Sequence, residues 1–174
     1  EGIYEDFDRK KSLLDITLFK SSNNENYTSL NEYISRMKDE QTEIYYISGE
    51  SIDQILTSPQ IEGYKSRGLE VIYMVDPIDE FWLPSMNEYE GKSFKSITKG
   101  IVDLSKFDIK DEKDSKKKKP ATKKDIDNLI SEMKSHLGDK VKDIKSSQML
   151  TDSPVCLTAD EADMDIHLEK LMRQ

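Results

Sequence analysis

Ser48, Gly49, Glu50 and Ser51 follow an apolar run, "EIYYIS", and precede a helical pattern, which is where nucleotide-binding folds place a phosphate loop. Pyrophosphate recognition at such a junction needs G-x-G-x-x-G, because backbone amides must approach the anion at a helix N-terminus. This stretch has a single glycine, Glu50 would repel a phosphate, and the pattern G-x-x-x-x-G-K-[ST] is absent. Gly49 therefore reads as relief of a tight strand-to-helix turn. Ser48 and Ser51 have no histidine close in sequence and no G-x-S-x-G elbow to make either a nucleophile. His136 and His167 are the only histidines, neither has a second His or a Cys three or four residues away, and both read as polar surface positions. Cys156 stands alone, which excludes an internal disulfide and a cysteine zinc site. With 35 Asp and Glu, carboxylate pairs arise by chance and select no active site.

Two apolar features stand out instead. Glu80, Phe81, Trp82 and Leu83 put three large apolar side chains in succession, more than one face of a helix can hide. Trp82 facing the sheet with Phe81 outward, or the reverse, both satisfy the pattern, and Pro84 bends or ends the helix. Further on, Met164, Leu168, Leu171 and Met172 form one helical stripe among Asp163, Asp165, His167, Glu169 and Lys170. Such a stripe suits a core or dimer face, and methionine also suits adaptable binding of varied partners.

The elements that must position these features follow from periodicity. Ile3, Phe7, Leu14 and Leu18 predict a long amphipathic helix over residues 1–20, and "SSNNEN" a loop. Ser29 to Glu32 is a capping box opening a short helix with Leu30, Tyr33, Ile34 and Met37 inward. "EIYYIS", then a capped helix from Ser51, then "LEVIYMV", then Asp76 as cap with Pro77 at the first helical position, predict strand–helix–strand–helix and hence parallel pairing under helices on both faces. "FKSI", Phe94 to Ile97, after the turn at Gly91, is the third strand. The fold class expected is α/β: a small three-layer α/β/α, Rossmann-like unit with a mostly parallel sheet over residues 1–104. A charged linker over 105–121 follows, and then a truncated α+β portion over 122–174. In that last portion Thr122 caps a core-facing helix (Ile126, Leu129, Ile130, Met133, Leu137) that stops at Gly138, two short strands fall near 141–146 and 154–157, and Thr158 to Glu161 is a capping box for the final helix.

The chain of 174 residues carries a formal charge of -9, which disfavours binding to polyanions, so nucleic acid is not an expected partner. No apolar run nears the ~20 residues of a membrane span, and Glu1 opens the chain without a signal-like segment. The run Lys116 to Lys119, flanked by Asp111, Glu112 and Asp114, reads as a solvated hinge, and the lone cysteine fits a reducing cytoplasm.

In order and spacing, "YISRMK", "IYYISGES", "SRGLEVIYMVDPIDEF" and "EYEGKSFKSITKG" closely resemble the middle domain of the heat-shock protein 90 family, ATP-driven dimeric chaperones. "EGIYEDF" is similar to the bacterial form, and "VKDIKSSQMLTDSPVCL" to the start of that family's C-terminal domain. The resemblance implies a fragment: the distal middle domain and the beginning of the C-terminal domain, without the N-terminal ATP-binding domain or the dimerisation helices. It implies ATP and magnesium as cofactors of the full-length parent and none here. The family's γ-phosphate arginine lies before this segment, so Arg9, Arg36 and Arg67 do not take that role and no activity is expected of the fragment alone. Partners implied are partly folded client proteins, the chain's own ATPase domain and a second copy of the parent. Client binding maps by resemblance onto Glu80, Phe81 and Trp82 and onto Met164, Leu168, Leu171 and Met172. Phe81 stands where an indole is typical, with Trp82 one place later, and Met172 replaces an aromatic. A small-ligand α/β enzyme and a purely structural connector remain the alternatives.

Overall fold

A computed structural model describes residues 2–6, 8–23, 26–86, 88–100, 102–107, 122–147 and 149–173. In place of one long opening helix there are two short ones, α1 (Gly2–Glu5) and α2 (Lys10–Ile16). The Thr17 amide turns back to the Leu14 carbonyl and the chain enters strand β1 (Leu18–Ser21). Leu14 is fully buried, but Leu18, expected on the same helical face, is an exposed strand residue. Strand β2 (Thr28–Ser29) leads into helix α3 (Leu30–Ser35), where the Ser29–Glu32 capping box forms as predicted.

Strand β3 (Glu43–Ser48), helices α4 (Ile52–Leu56) and α5 (Glu62–Ser66), strand β4 (Ile72–Met74) and helix α6 (Asp79–Trp82) continue the chain. Strands β5 (Glu88–Tyr89) and β6 (Lys92–Ser96) are joined by Glu90 and Gly91, both at positive φ (51° and 72°), the geometry that matches the right-handed twist of a hairpin. The sheet order is β2-β1-β4-β3-β6-β5. β3 pairs in parallel with β4 and β6, as expected, but β1–β2, β1–β4 and β5–β6 are antiparallel. The sheet is therefore mixed rather than mostly parallel: β1–β2 and β5–β6 are joined by short connections that need no crossover, and β1 also lies antiparallel to β4.

Strand residues alternate between two cores. Tyr45 and Ile47 of β3 and Tyr73 of β4 pack with Ile55, Ile61, Tyr64, Leu104, Phe107 and Met149 on one face. Ile44, Ile72 and Met74 pack with Leu14, Leu30, Tyr33, Trp82 and Tyr89 on the other. Burial on both faces is why the central strands read as continuous apolar runs.

Helix α7 (Lys123–Leu137) carries the predicted Thr122 cap, completed by Asp125, and ends at Gly138 with φ 49°. It is not core-facing: none of its residues is fully buried and Leu129 is 60% exposed. Neither predicted strand near 141–146 and 154–157 forms; Ala159 instead makes a single parallel bridge to Lys99. Helix α8 (Ile166–Met172) closes the described chain. The lysine-rich stretch falls largely within 108–121, outside the described residues.

Candidate functional site

Both apolar features lie where the carboxyl ends of β3 and β6 meet the last part of the chain. Helix α6 begins later than the sequence suggests. The Asp76 carboxylate accepts from the Ile78 amide (3.1 Å), making an Asx turn that holds Pro77 outside the helix, and α6 is a single turn from Asp79 followed by a 3-10 turn through Pro84. One turn cannot bury three successive side chains, and the structure divides them. Trp82 is 2% exposed, donates from Nε1 to Asp79 (2.8 Å) and meets Phe94 edge-on at 5.7 Å. Phe81 is 54% exposed, and Glu80 is buried. Burial pushes the Asp79 carboxyl up, against the Trp82 hydrogen bond that lowers it.

Helix α8 starts at Ile166, not after Thr158. The expected box fails because Glu161 forms an ion pair with Lys95 on β6, and because the Ala159 backbone is engaged with Thr98 and Gly100 (2.9 and 2.8 Å). The true cap is Asp165, which accepts from the His167 amide (3.0 Å). Its second oxygen accepts from the hydroxyls of Ser96 and Thr98, the latter at 2.6 Å, so the cap also binds the helix to the end of β6. Met164 thus precedes the helix and is exposed, Met172 ends it and is exposed, and Leu168 and Leu171 are half-buried.

His167 overturns its reading as a surface residue. It is buried, and its Nδ1 lies 3.0 Å from the Glu80 carboxylate. Because a carboxylate only accepts, the ring hydrogen belongs on Nδ1. This pair joins the two predicted apolar segments directly. Lys170 forms an ion pair with Glu50, so the acidic residue of the "SGES" turn faces α8. The hydrogen bond to Glu50 carboxylate, led by Lys170, holds its carboxyl below the ordinary range. Burial first, and then the nearby Asp165 and Glu80 carboxylates, raise the Tyr46 phenol. His136 is exposed on α7.

The turn itself does not fit a nucleotide. The Gly49 amide donates to the Met74 carbonyl (3.0 Å) and the Glu50 amide to Gln54 (3.0 Å), leaving neither for a phosphate. A Cβ on Gly49 would meet Ile55 at 2.8 Å, so close packing explains the glycine. Among the described residues no cluster of three or more His, Cys, Asp or Glu is placed to hold a metal ion, and no helix is long and apolar enough to cross a membrane.

A second tie escaped the sequence. On α5, Glu62 accepts at one carboxylate oxygen from the amides of Thr151, Asp152 and Ser153 (2.9, 3.0 and 3.2 Å), and at the other from the Ser153 hydroxyl. Such contacts join residues ninety positions apart, and only the short-range signals of capping and periodicity are legible in one sequence.

The family model described as Hsp90 protein matches residues 1–174. The chain is 43% identical to the chaperone protein HtpG of Paramagnetospirillum magneticum over 173 residues, 99% of this chain and 28% of that protein. It is 44% identical to that of Roseobacter denitrificans over 174 residues (100% and 28%), and 43% identical to that of Wolbachia pipientis wMel over 167 residues (96% and 26%). It spans only about a quarter of the length of these relatives. Among solved structures, the middle domain of a Plasmodium falciparum heat shock protein superposes with a TM-score of 0.53 at 34% identity, covering 57% of this chain and 42% of that one. With a match that runs its full length and relatives of this closeness, the chain belongs to the Hsp90 family, and its similarity is to the HtpG chaperones.

Proposed function

We propose that this chain is a client-binding and coupling segment of an ATP-driven, dimeric chaperone of the cytoplasm. The observation that carries the reading is the Glu80–His167 pair, which links the segment displaying Phe81 to the helix flanked by Met164 and Met172, all three exposed. Phe81, Met164 and Met172 then form the contact side chains, with half-buried Leu168 and Leu171 completing the surface, while Glu80 and Trp82 hold it in place from within. Exposed apolar side chains on two connected elements can hold a partly folded polypeptide without reading its sequence. At ~25 cal/mol per Å² of apolar area, so few side chains give weak, reversible capture. ATP and magnesium, in this reading, act at another domain of the same protein; the residues here do not fit them, and no step is derived through them.

The test is binding of a fluorescent, partly unfolded model protein to the chain, to Phe81→Ala and to Met164→Ala/Met172→Ala, with folding checked by circular dichroism. Loss of binding in both folded variants is expected. Unchanged binding in both would reduce the segment to a structural connector.

A further inference from the structure

In open α/β sheets, ligands settle outside the carboxyl ends of the strands where the strand order reverses. Here the chain runs from β3 to β4 on one side and then crosses to β6 on the other, so the reversal lies between β3 and β6. A crevice of about 130 Å³ occupies that point, walled by Ile47, Ile55 and Ile166 and lined by Ser48, His167 and Thr98. Helix α8 forms one side of it.

Two of these lining residues carry an exceptional atom. Ser48 Oγ and His167 Nε2 are buried, and among the described residues neither has a hydrogen-bond partner. Their residues are only 7% and 9% exposed. A buried polar atom left unpaired is costly, and native structures pair the great majority of them. Thr98 and Asp165 satisfy each other, His167 Nδ1 is satisfied by Glu80, and Lys170 at the rim by Glu50. Gln54, Ser58 and Gln60 also line the crevice, and of its buried side-chain atoms Ser48 Oγ and His167 Nε2 are the unpaired ones among the described residues.

We infer that the crevice binds one small uncharged polar group, a hydroxyl or a primary carboxamide on a short carbon stem, held between Ser48 Oγ and His167 Nε2. Nδ1 is taken up by Glu80, so Nε2 is the ring atom left to bond a ligand, and the serine hydroxyl both donates and accepts. A hydroxyl or carboxamide meets both demands. The three isoleucines take the stem. A charged group would enter without a counter-charge, since the carboxylates and the ammonium there are already paired. The volume is well below the roughly 300 to 1,000 Å³ of sites for drug-sized ligands, which excludes a nucleotide. The same chemistry comes from a free solute or from an Asn, Gln, Ser or Thr side chain of a polypeptide. This site does not depend on client capture by Phe81 and the methionines.

The chain's two histidines make the test clean, because His136→Gln leaves His167 as the single ring observed by ¹⁵N NMR. Propionamide serves as the free probe and the tripeptide Ala-Gln-Ala as the side-chain probe. Saturable movement of the His167 Nε2 resonance is expected, with Nδ1 little changed. Ser48→Val, which replaces the hydroxyl by methyl groups, and Ser48→Ala, which only removes it, are each expected to weaken the response about tenfold or more. Phe81→Ala leaves it unchanged, which separates this site from client binding. A response to propionamide alone assigns a free solute, and a tighter response to the tripeptide assigns a polypeptide side chain. No saturable movement with either probe, or undiminished affinity in the folded serine variants, overturns the proposal.

Discussion

Phe81 and Trp82 are neighbours with opposite fates, and their substitution should show it. Trp82 is packed among Phe19, Phe94 and the second core, so Trp82→Ala is expected to cost about 3–5 kcal/mol by denaturant unfolding. Phe81→Ala is expected to stay within about 0.5 kcal/mol while affecting polypeptide binding. Equal destabilisation by the two would contradict the division seen in α6. The sequence showed that one turn could not hide all three side chains, but which ring turned inward depends on Asp79 and Phe94, and the latter comes from strand β6. Glu62 supplies a pH test. Burial pushes its carboxyl up, but the Ser153 hydroxyl and the amides of Asp152, Thr151 and Ser153 outweigh this and hold it at about 2 against an ordinary 4.5. A depressed folded-state value means that the stabilisation is complete above pH 4.5 and disappears as pH falls from there toward 2. The urea midpoint of the wild type is expected to fall across that window more steeply than that of Glu62→Gln. Parallel profiles would show that the carboxylate does not stabilise the 151–153 turn.

At the scale of elements, local signals were legible and remote ones were not. The boxes at Ser29 and Thr122 need only residues three apart, and both form. The box at Thr158 has the same spacing but loses Glu161 to Lys95, sixty-six positions away, and α8 is capped by Asp165 instead. The central strands were legible from their apolar runs, whereas β1 is a short strand whose Leu18 fitted the helical stripe of the opening residues, and β2 is a two-residue edge strand. Helix α5 offers a test of how tightly the distant segment is seated. A Cβ on Gly63 would lie 2.5 Å from the Met149 carbonyl oxygen, backbone that cannot swing aside. Gly63→Ala is therefore expected to destabilise by about 1–3 kcal/mol, the range for overpacking, and to speed amide exchange in residues 149–153. Unaltered exchange there would mean that the contact is loose.

At the scale of the molecule, the core does not respect the order of the chain. Phe107 and Met149 are both buried in the cluster that contains Tyr64 and Leu69. The segment between them, which contains α7, is therefore anchored to the same core at both ends. Loop-closure entropy rises only slowly, by about 0.6 kcal/mol per doubling of length, so the number of residues joining Phe107 to Met149 should matter little to stability. Inserting a short glycine-serine stretch within 108–121 is expected to leave the melting temperature nearly unchanged, whereas Met149→Ala, which opens one of the closure points, should lower it by several degrees. A change in the number of residues ahead of α7 is then expected to leave the helix that carries His167 in its seat.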